Sequence, residues 1–277
     1  MRRSYSATLL VFLGILAGCR TGLNHVDLGG PRYAGIGAGG TWTGNGDTLR
    51  VVSFNIKYAR EVDSALVVLT AEPALRDADI ILLQEMDEAG TDRIAYALGM
   101  SYVYYPATFH LRTRRHFGNA VLSRWPIVED SKLLLPHIAR FTRTRRIATA
   151  ATIRVDGELV RVYSVHLGTI ADIGPGAHRD QLSTVRADAA RYARVLLGGD
   201  LNDQGVGRVA QQSGYVWATE HGPRTAVVGR FDHIFMKGLS SPDSAAAGTV
   251  LEVRHASDHR PVWAVGVIPS QPTLQPR

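Results

Sequence analysis

Short runs of branched apolar residues recur along the chain, and several of them end abruptly on a polar residue. Residues 49–56 and 80–84 are dense in Val, Ile and Leu, the composition of strands buried on both faces. Between them the apolar spacing predicts a helix over 62–75, with Pro73 marking its end or a kink. Residues 120–122, 127–135, 148–155 and 159–166 read as further strands. The last two flank Asp156-Gly157, a tight-turn signal, so they are expected to pair antiparallel. In 178–194, Leu182, Val185, Ala189 and Tyr192 fall near helical spacing. Residues 195–199, 231–236, 249–253 and 262–267 complete the strands. Many strands with interspersed helices and a hairpin imply mixed sheets covered by helices, a layered α/β sandwich.

The N-terminus has a different pattern. Arg2 and Arg3 precede an apolar stretch, 8–17, that is too short to span a bilayer. It closes on Leu16-Ala17-Gly18-Cys19, and Cys19 is the only cysteine in the chain. This run resembles the lipobox of bacterial lipoproteins, which implies a signal peptide over 1–18 and a diacylated Cys19 as the mature N-terminus. The competing reading is an ordinary signal peptide with small residues near its cleavage site. On the lipobox reading the protein is exported and membrane-anchored in the periplasm or at the cell surface. Arg20, where an Asp would signal inner-membrane retention, favours the outer membrane. Residues 19–46 are Gly-rich and lack periodicity, so a flexible tether is expected there. Their run Gly35-Ile36-Gly37-Ala38-Gly39-Gly40 follows no predicted strand and opens no predicted helix, so it is no dinucleotide loop. The domain is expected over 47–268, with a Pro- and Gln-containing tail over 269–277.

Composition narrows this further. A chain of 277 residues with 45% hydrophobic content can bury one large core, and with Cys19 consumed no internal disulfide is possible. A formal charge of +6 suits an anionic partner without choosing between nucleic acid and lipid headgroups.

The polar residues that end the apolar runs supply the candidate chemistry: Asn55, Glu85, His166, Asp200, Asn202, Asp258 and His259. Carboxylates, amides and imidazoles at strand ends gather at one rim of a sheet, where an oxygen-rich set holds a hard divalent cation. That is the inventory for hydrolysing a phosphate ester. No HExxH motif occurs and the cysteine is spent, so nothing points to zinc.

The motifs SFNI, QE, GNAVLSRWPI, VHLG, GDLND, FDHIF and SDHRPV stand in this order between Leu49 and Val267. Together they resemble the endonuclease/exonuclease/phosphatase superfamily. The resemblance implies a four-layer α/β/β/α sandwich of two mixed β-sheets flanked by helices, with its site at the sheet rim. It further implies Glu85 as the main Mg²⁺ ligand, Asn55 and Asp258 as ligands directly or through water, and Mn²⁺ as a possible substitute. Asp200 is expected to orient or deprotonate the attacking water, and Asn202 to donate to a non-bridging phosphate oxygen. Asp232 is expected to pair with His259, with His166 facing the phosphate from the other side.

Other positions stay open. Asn119 is either a phosphate contact or a structural amide. Arg145 or Arg146 either clamps phosphate or is solvated surface. His233 is read as core or as support for the site, and 110–116 as a mobile basic loop over it. The expected function is phosphodiester hydrolysis of DNA, RNA or a phospholipid headgroup by a monomer. A phosphomonoesterase, or a surface lipoprotein that binds a ligand without turnover, are the alternatives.

Overall fold

The computed structural model describes residues 22–37, 47–242 and 246–269. The signal segment, Cys19 and the tail beyond residue 269 lie outside the described residues. In chain order the strands begin with β1 (Gly22–Asn24), β2 (Tyr33–Gly35) and β3 (Thr48–Asn55). A short 3₁₀ turn, Lys57–Ala59, leads to α1 (Val62–Ala71), β4 (Ile80–Met86), α2 (Glu88–Leu98), β5 (Ser101–His110) and β6 (Arg115–Ser123). Then follow β7 (Ile127–Ile138), β8 (Arg145–Val155), β9 (Glu158–His166), α3 (Ile170–Ile173) and α4 (Pro175–Ala189). The chain closes with β10 (Val195–Asp200), α5 (Val206–Gln211), β11 (Val216–Trp217), β12 (Asp232–Lys237), β13 (Ala247–Thr249) and β14 (Val262–Val267).

These strands form two mixed sheets. One runs β1-β5-β6-β4-β3-β14-β13, with β2 also on β5; the other runs β11-β12-β10-β9-β8-β7. Successive strand residues point to opposite faces, so a run buried on both sides feeds two cores at once. Val51, Ile80 and Leu82 enter the core between the sheets with Val162, Leu196 and Ile234. Their neighbours Val52, Ile81 and Leu83 pack outward against Val68 and Leu69 of α1 and Ile94 of α2. On the second sheet Tyr163, Val165 and Leu197 pack outward against Leu182 and Val185 of α4. Three cores separate four layers, which is the sandwich the motifs implied.

The expected elements hold with shifted ends. The first helix stops at Ala71, before Pro73, and the α4 helix ends at Ala189 rather than Arg194. The Asp156-Gly157 turn joins β8 and β9 antiparallel. The strand expected over 249–253 is only Ala247–Thr249. Residues 110–116 are the tip of the β5–β6 hairpin, closed by Arg115 paired with His110.

The tether reading is corrected over residues 22–37. Asn24 pairs with Thr108 and Tyr33 with Tyr104, so both N-terminal strands extend the first sheet along β5. Polar side chains then bind this segment to the second sheet. Arg32 grips Asp130 of β7 with two hydrogen bonds, 2.7 and 2.6 Å, and Tyr105 donates to the same carboxylate. Lys132 of β7 is buried and donates to the Gly30 and His25 carbonyls. Glycine content hid this, because pairing here depends on backbone groups rather than on apolar periodicity.

A chain begun at Asp47 therefore loses the strap and bares β5. Its melting temperature is expected to fall by roughly 5 °C or more against a chain begun at Gly22, since about 1 kcal/mol moves a domain of this size by some 2–4 °C. Equal melting curves by circular dichroism would make the strap peripheral.

Candidate active site

Both halves of the site come from strand ends. Parallel strands β3 and β4 bring Asn55 beside Gln84 at the rim of the first sheet. The next residue, Glu85, has φ +58° where the register with β6 slips between Leu83 and Met86. A bulge of this kind re-aims a side chain, and a left-handed non-glycine residue costs about 1–3 kcal/mol that the surrounding fold must hold. Its carboxylate is pinned at both oxygens: Asn55 Nδ2 donates to Oε1 at 3.2 Å and the Tyr58 amide to Oε2 at 3.1 Å.

On the second sheet, register does the assembly. His166 lies opposite Asp200 in the parallel β9–β10 pair, and Asp200 opposite Asp232 in the antiparallel β10–β12 pair. Gly199 makes the close strand approach possible. It has φ +149°, and a Cβ there would lie 1.8 Å from the Val165 carbonyl oxygen. Asp200 Oδ1 accepts from the Asn202 amide at 3.0 Å, shaping a turn in which Asn202 itself has φ +51°.

Asp200 Oδ2 is the meeting point. Asn55 Nδ2 donates to it at 3.0 Å across the seam between the sheets, His166 Nε2 lies 3.4 Å away and His259 Nε2 3.8 Å away. His259 is oriented by Asp232, with Nδ1 2.8 Å from Oδ2. Arg146 donates to His166 Nδ1 at 3.1 Å. An arginine has no acceptor, so that nitrogen carries no proton and His166 is neutral with its hydrogen on Nε2.

Charge follows from these contacts. Burial raises the Asp200 carboxyl to about 7, and the neighbouring Asp232 and Glu85 carboxylates push in the same direction against His259. Burial also raises Glu85, with Arg146 opposing. Burial works against a charge on His259, but Asp232, Asp200 and Glu85 outweigh it and raise the imidazole to about 10. His166 is held well below the ordinary imidazole range by burial and by the Arg146 and His259 charges. The two histidines therefore differ: His259 is a cation, while His166 contributes a directed N–H and the charge beside it belongs to Arg146.

Of the expected residues, Asn55, Glu85, His166, Asp200, Asp232 and His259 converge. Asn202 forms the rim, with its side-chain Nδ2 donating to the Leu167 carbonyl at 3.0 Å. Asp258 is exposed and paired with Lys57 at 3.0 Å, although its charge still reaches Glu85. Asn119 is the structural amide of its two readings, bridging the sheets by donating to the Ile147 and Ser164 carbonyls. Arg145 donates to the Leu135 carbonyl. His233 is buried, accepts from Trp217 Nε1 and meets the Asp203 carbonyl, a support for the Asn202 loop. Ser257 was missed. Its hydroxyl donates to the Asn55 carbonyl and accepts from the His259 amide, and a serine beside an Asp-His pair gives no signal of that in the sequence.

The donor set suits a hard cation. Among the described residues, the groupings whose ligand atoms lie close enough to share an ion are Glu85, His166 and Asp200, and Asp200, Asp232 and His259. With His259 a cation and His166 protonated on Nε2, the ligand atoms on offer are carboxylate oxygens, and oxygen ligands without thiolates are what Mg²⁺ or Mn²⁺ prefers. Asn55 turns its amide nitrogen to the carboxylates, while its oxygen accepts from the Lys57 amide at 3.0 Å.

Comparison with known proteins gives the family and the fold. The Endonuclease/Exonuclease/phosphatase family model matches residues 52–259. No curated protein sequence matches the chain. An endonuclease/exonuclease/phosphatase structure from Beutenbergia cavernae aligns with TM-score 0.64 at 19% identity, over 80% of this chain and 72% of that one. D. rerio TDP2 complexed with a single-strand DNA product gives TM-score 0.64 at 18% identity, over 79% and 98%. Sphingomyelinase C from Streptomyces griseocarneus gives 0.59 at 16%, over 79% and 99%. At these identities the structures attest the fold.

The raised Asp200 carboxyl has a pH signature. It holds its proton more tightly folded than unfolded, so its contribution to stability is complete below about pH 4 and declines as pH rises to about 7. In EDTA, the urea-unfolding free energy of the native chain minus that of Asp200→Ala is expected to fall by about 1 kcal/mol or more across this window. A difference that is flat or rises with pH contradicts the assignment.

Proposed function

Because the chain belongs to the endonuclease/exonuclease/phosphatase family, we propose that it is a Mg²⁺-dependent phosphodiesterase that directs an activated water in line at phosphorus. The observation that carries this reading is the meeting of Asn55, His166 and the Asp232–His259 pair at one Asp200 carboxylate oxygen, with Glu85 joined to it through Asn55. Nucleic acid and phospholipid headgroups are the substrate classes compatible with a basic chain of this charge.

Each residue has a task that its environment explains. Asp200, poised near neutrality, takes the proton of the attacking water, since a general base works best when its pKa is close to the operating pH. His259, kept charged by Asp232, faces the negative charge that grows on the phosphoryl oxygens. His166 donates from Nε2, its tautomer fixed by Arg146. Asn55 holds Glu85 and Asp200 at a fixed separation. Asn202 keeps the rim open beside Asp200 and is the candidate to touch a non-bridging oxygen. Mg²⁺ or Mn²⁺, held by Glu85 with Asn55 and Asp258 at the margin, would supply a Lewis acid that offsets phosphoryl charge. Export and anchoring through a lipidated Cys19, as a monomer, complete the proposal.

Glu85→Ala, Asp200→Ala and His259→Ala are each expected to lower kcat by roughly 10²–10⁴ while keeping the native circular dichroism spectrum. EDTA abolishes turnover and Mg²⁺ restores it. Plasmid DNA and phosphocholine-lipid vesicles serve as parallel substrates, and release of inorganic phosphate would mark a monoesterase instead. Near-normal kcat in any of the three variants contradicts the reading.

A further inference from the structure

Beside the catalytic cluster stands a wall of rings and guanidinium groups, most of it with no task in the chemistry above. Tyr58 lies 5.2 Å from Phe117 and 5.5 Å from His110, ring centre to ring centre, and Phe117 lies 5.8 Å from His166. Cations frame the rings. The Arg60 guanidinium carbon is 5.4 Å from the Tyr58 ring and that of Arg146 is 5.3 Å from Phe117. Arg112, exposed at the β5–β6 hairpin tip, bears electrostatically on both Tyr58 and His110.

Packing alone does not account for Tyr58. The residue remains 38% exposed. Its backbone has φ +59°, within a run in which Lys57 and Ala59 are also left-handed. An aromatic residue gains nothing from that conformation, and a glycine would adopt it without strain. The amide of the same residue holds the Glu85 carboxylate, so the ring is fixed directly beside the catalytic cluster.

We propose that Tyr58 and Phe117 form a stacking subsite for a nucleobase next to the scissile phosphate of a single-stranded nucleic acid, with Arg60 and Arg112 taking a flanking phosphate. The inference rests on the phosphodiesterase reading and narrows its substrate. Every base has a π-face that stacks on an aromatic ring, and flanking arginines follow the backbone charge. A duplex keeps its bases stacked on one another, so a single strand is the form that can use the wall. A choline headgroup is disfavoured, because Arg60, Arg112 and Arg146 repel a quaternary ammonium approaching these rings.

The test compares a single-stranded deoxyoligonucleotide with the same backbone made abasic around the cleaved bond, using the full chain with Mg²⁺. Tyr58→Leu should lower the ratio of kcat/KM for base-bearing over abasic substrate by roughly tenfold, the order of one lost base–aromatic stack. Taking the ratio cancels any loss transmitted through Glu85, and Tyr58→Phe should keep the native ratio. Fluorescence anisotropy with a labelled phosphorothioate oligonucleotide gives a readout that needs no turnover. Base-dependent binding that weakens in Tyr58→Leu upholds the subsite even if no diester is cleaved, in which case only the phosphodiesterase reading fails. A ratio and a binding constant unchanged in Tyr58→Leu overturn the proposal, as does turnover of phosphocholine lipid with no base-dependent binding.

Discussion

Mutual repulsion among buried carboxylates is the constraint around which this molecule is arranged. Glu85, Asp200 and Asp232 meet at the seam between two sheets, where burial pushes the Glu85 and Asp200 carboxyls up. The fold keeps charge there by adding partners of opposite sign. His259 is wedged against Asp232 and Asp200, Arg146 reaches in behind His166, and the Asn55 amide donates to both Glu85 and Asp200. What remains is a site short of positive charge, which is the condition for holding a divalent cation and for poising Asp200 near neutrality.

Such an arrangement needs two sheets that do not slide. Beneath the site a buried polar bridge joins them: Gln84 donates to the Ser164 hydroxyl at 3.0 Å, and that hydroxyl donates to the Leu83 carbonyl at 2.9 Å. Asn119 and Thr149 add a second bridge, with the Thr149 hydroxyl donating to the Asn119 carbonyl. Apolar residues would pack the gap as well, but hydrogen bonds are directional and fix the offset between strands. At the far edge the N-terminal strap, through Arg32 and Lys132, ties the same two sheets together.

Much of this was legible in the sequence because buried strands that end in a polar residue announce both the strand and the rim. SFNI, QE and GDLND each follow an apolar run with a functional side chain, and β3, β4 and β10 end at or within one residue of it. Less legible were features that depend on backbone geometry. The bulge at Glu85 and the left-handed run at Lys57–Ala59 have no residue signature, since neither uses glycine. The strands β1 and β2 are three residues each, too short for alternation to register. Strand β5 carries Pro106 beside an irregular register and so did not read as a strand. The difference between His166 and His259 was also beyond the sequence, because it depends on which nitrogen faces Arg146 and which faces Asp232.

The central claim is that the carboxylate cluster is a cation site held in reserve by repulsion. Its most direct test is the melting temperature of the full chain with and without Mg²⁺ at pH 8 and at pH 4.5, with Glu85→Gln alongside. The account predicts that Mg²⁺ stabilises the native chain at pH 8, much less at pH 4.5 where protons occupy the carboxylates, and little in the variant. A melting temperature indifferent to Mg²⁺ and Mn²⁺ at pH 8, or a shift that survives Glu85→Gln unchanged, would contradict it.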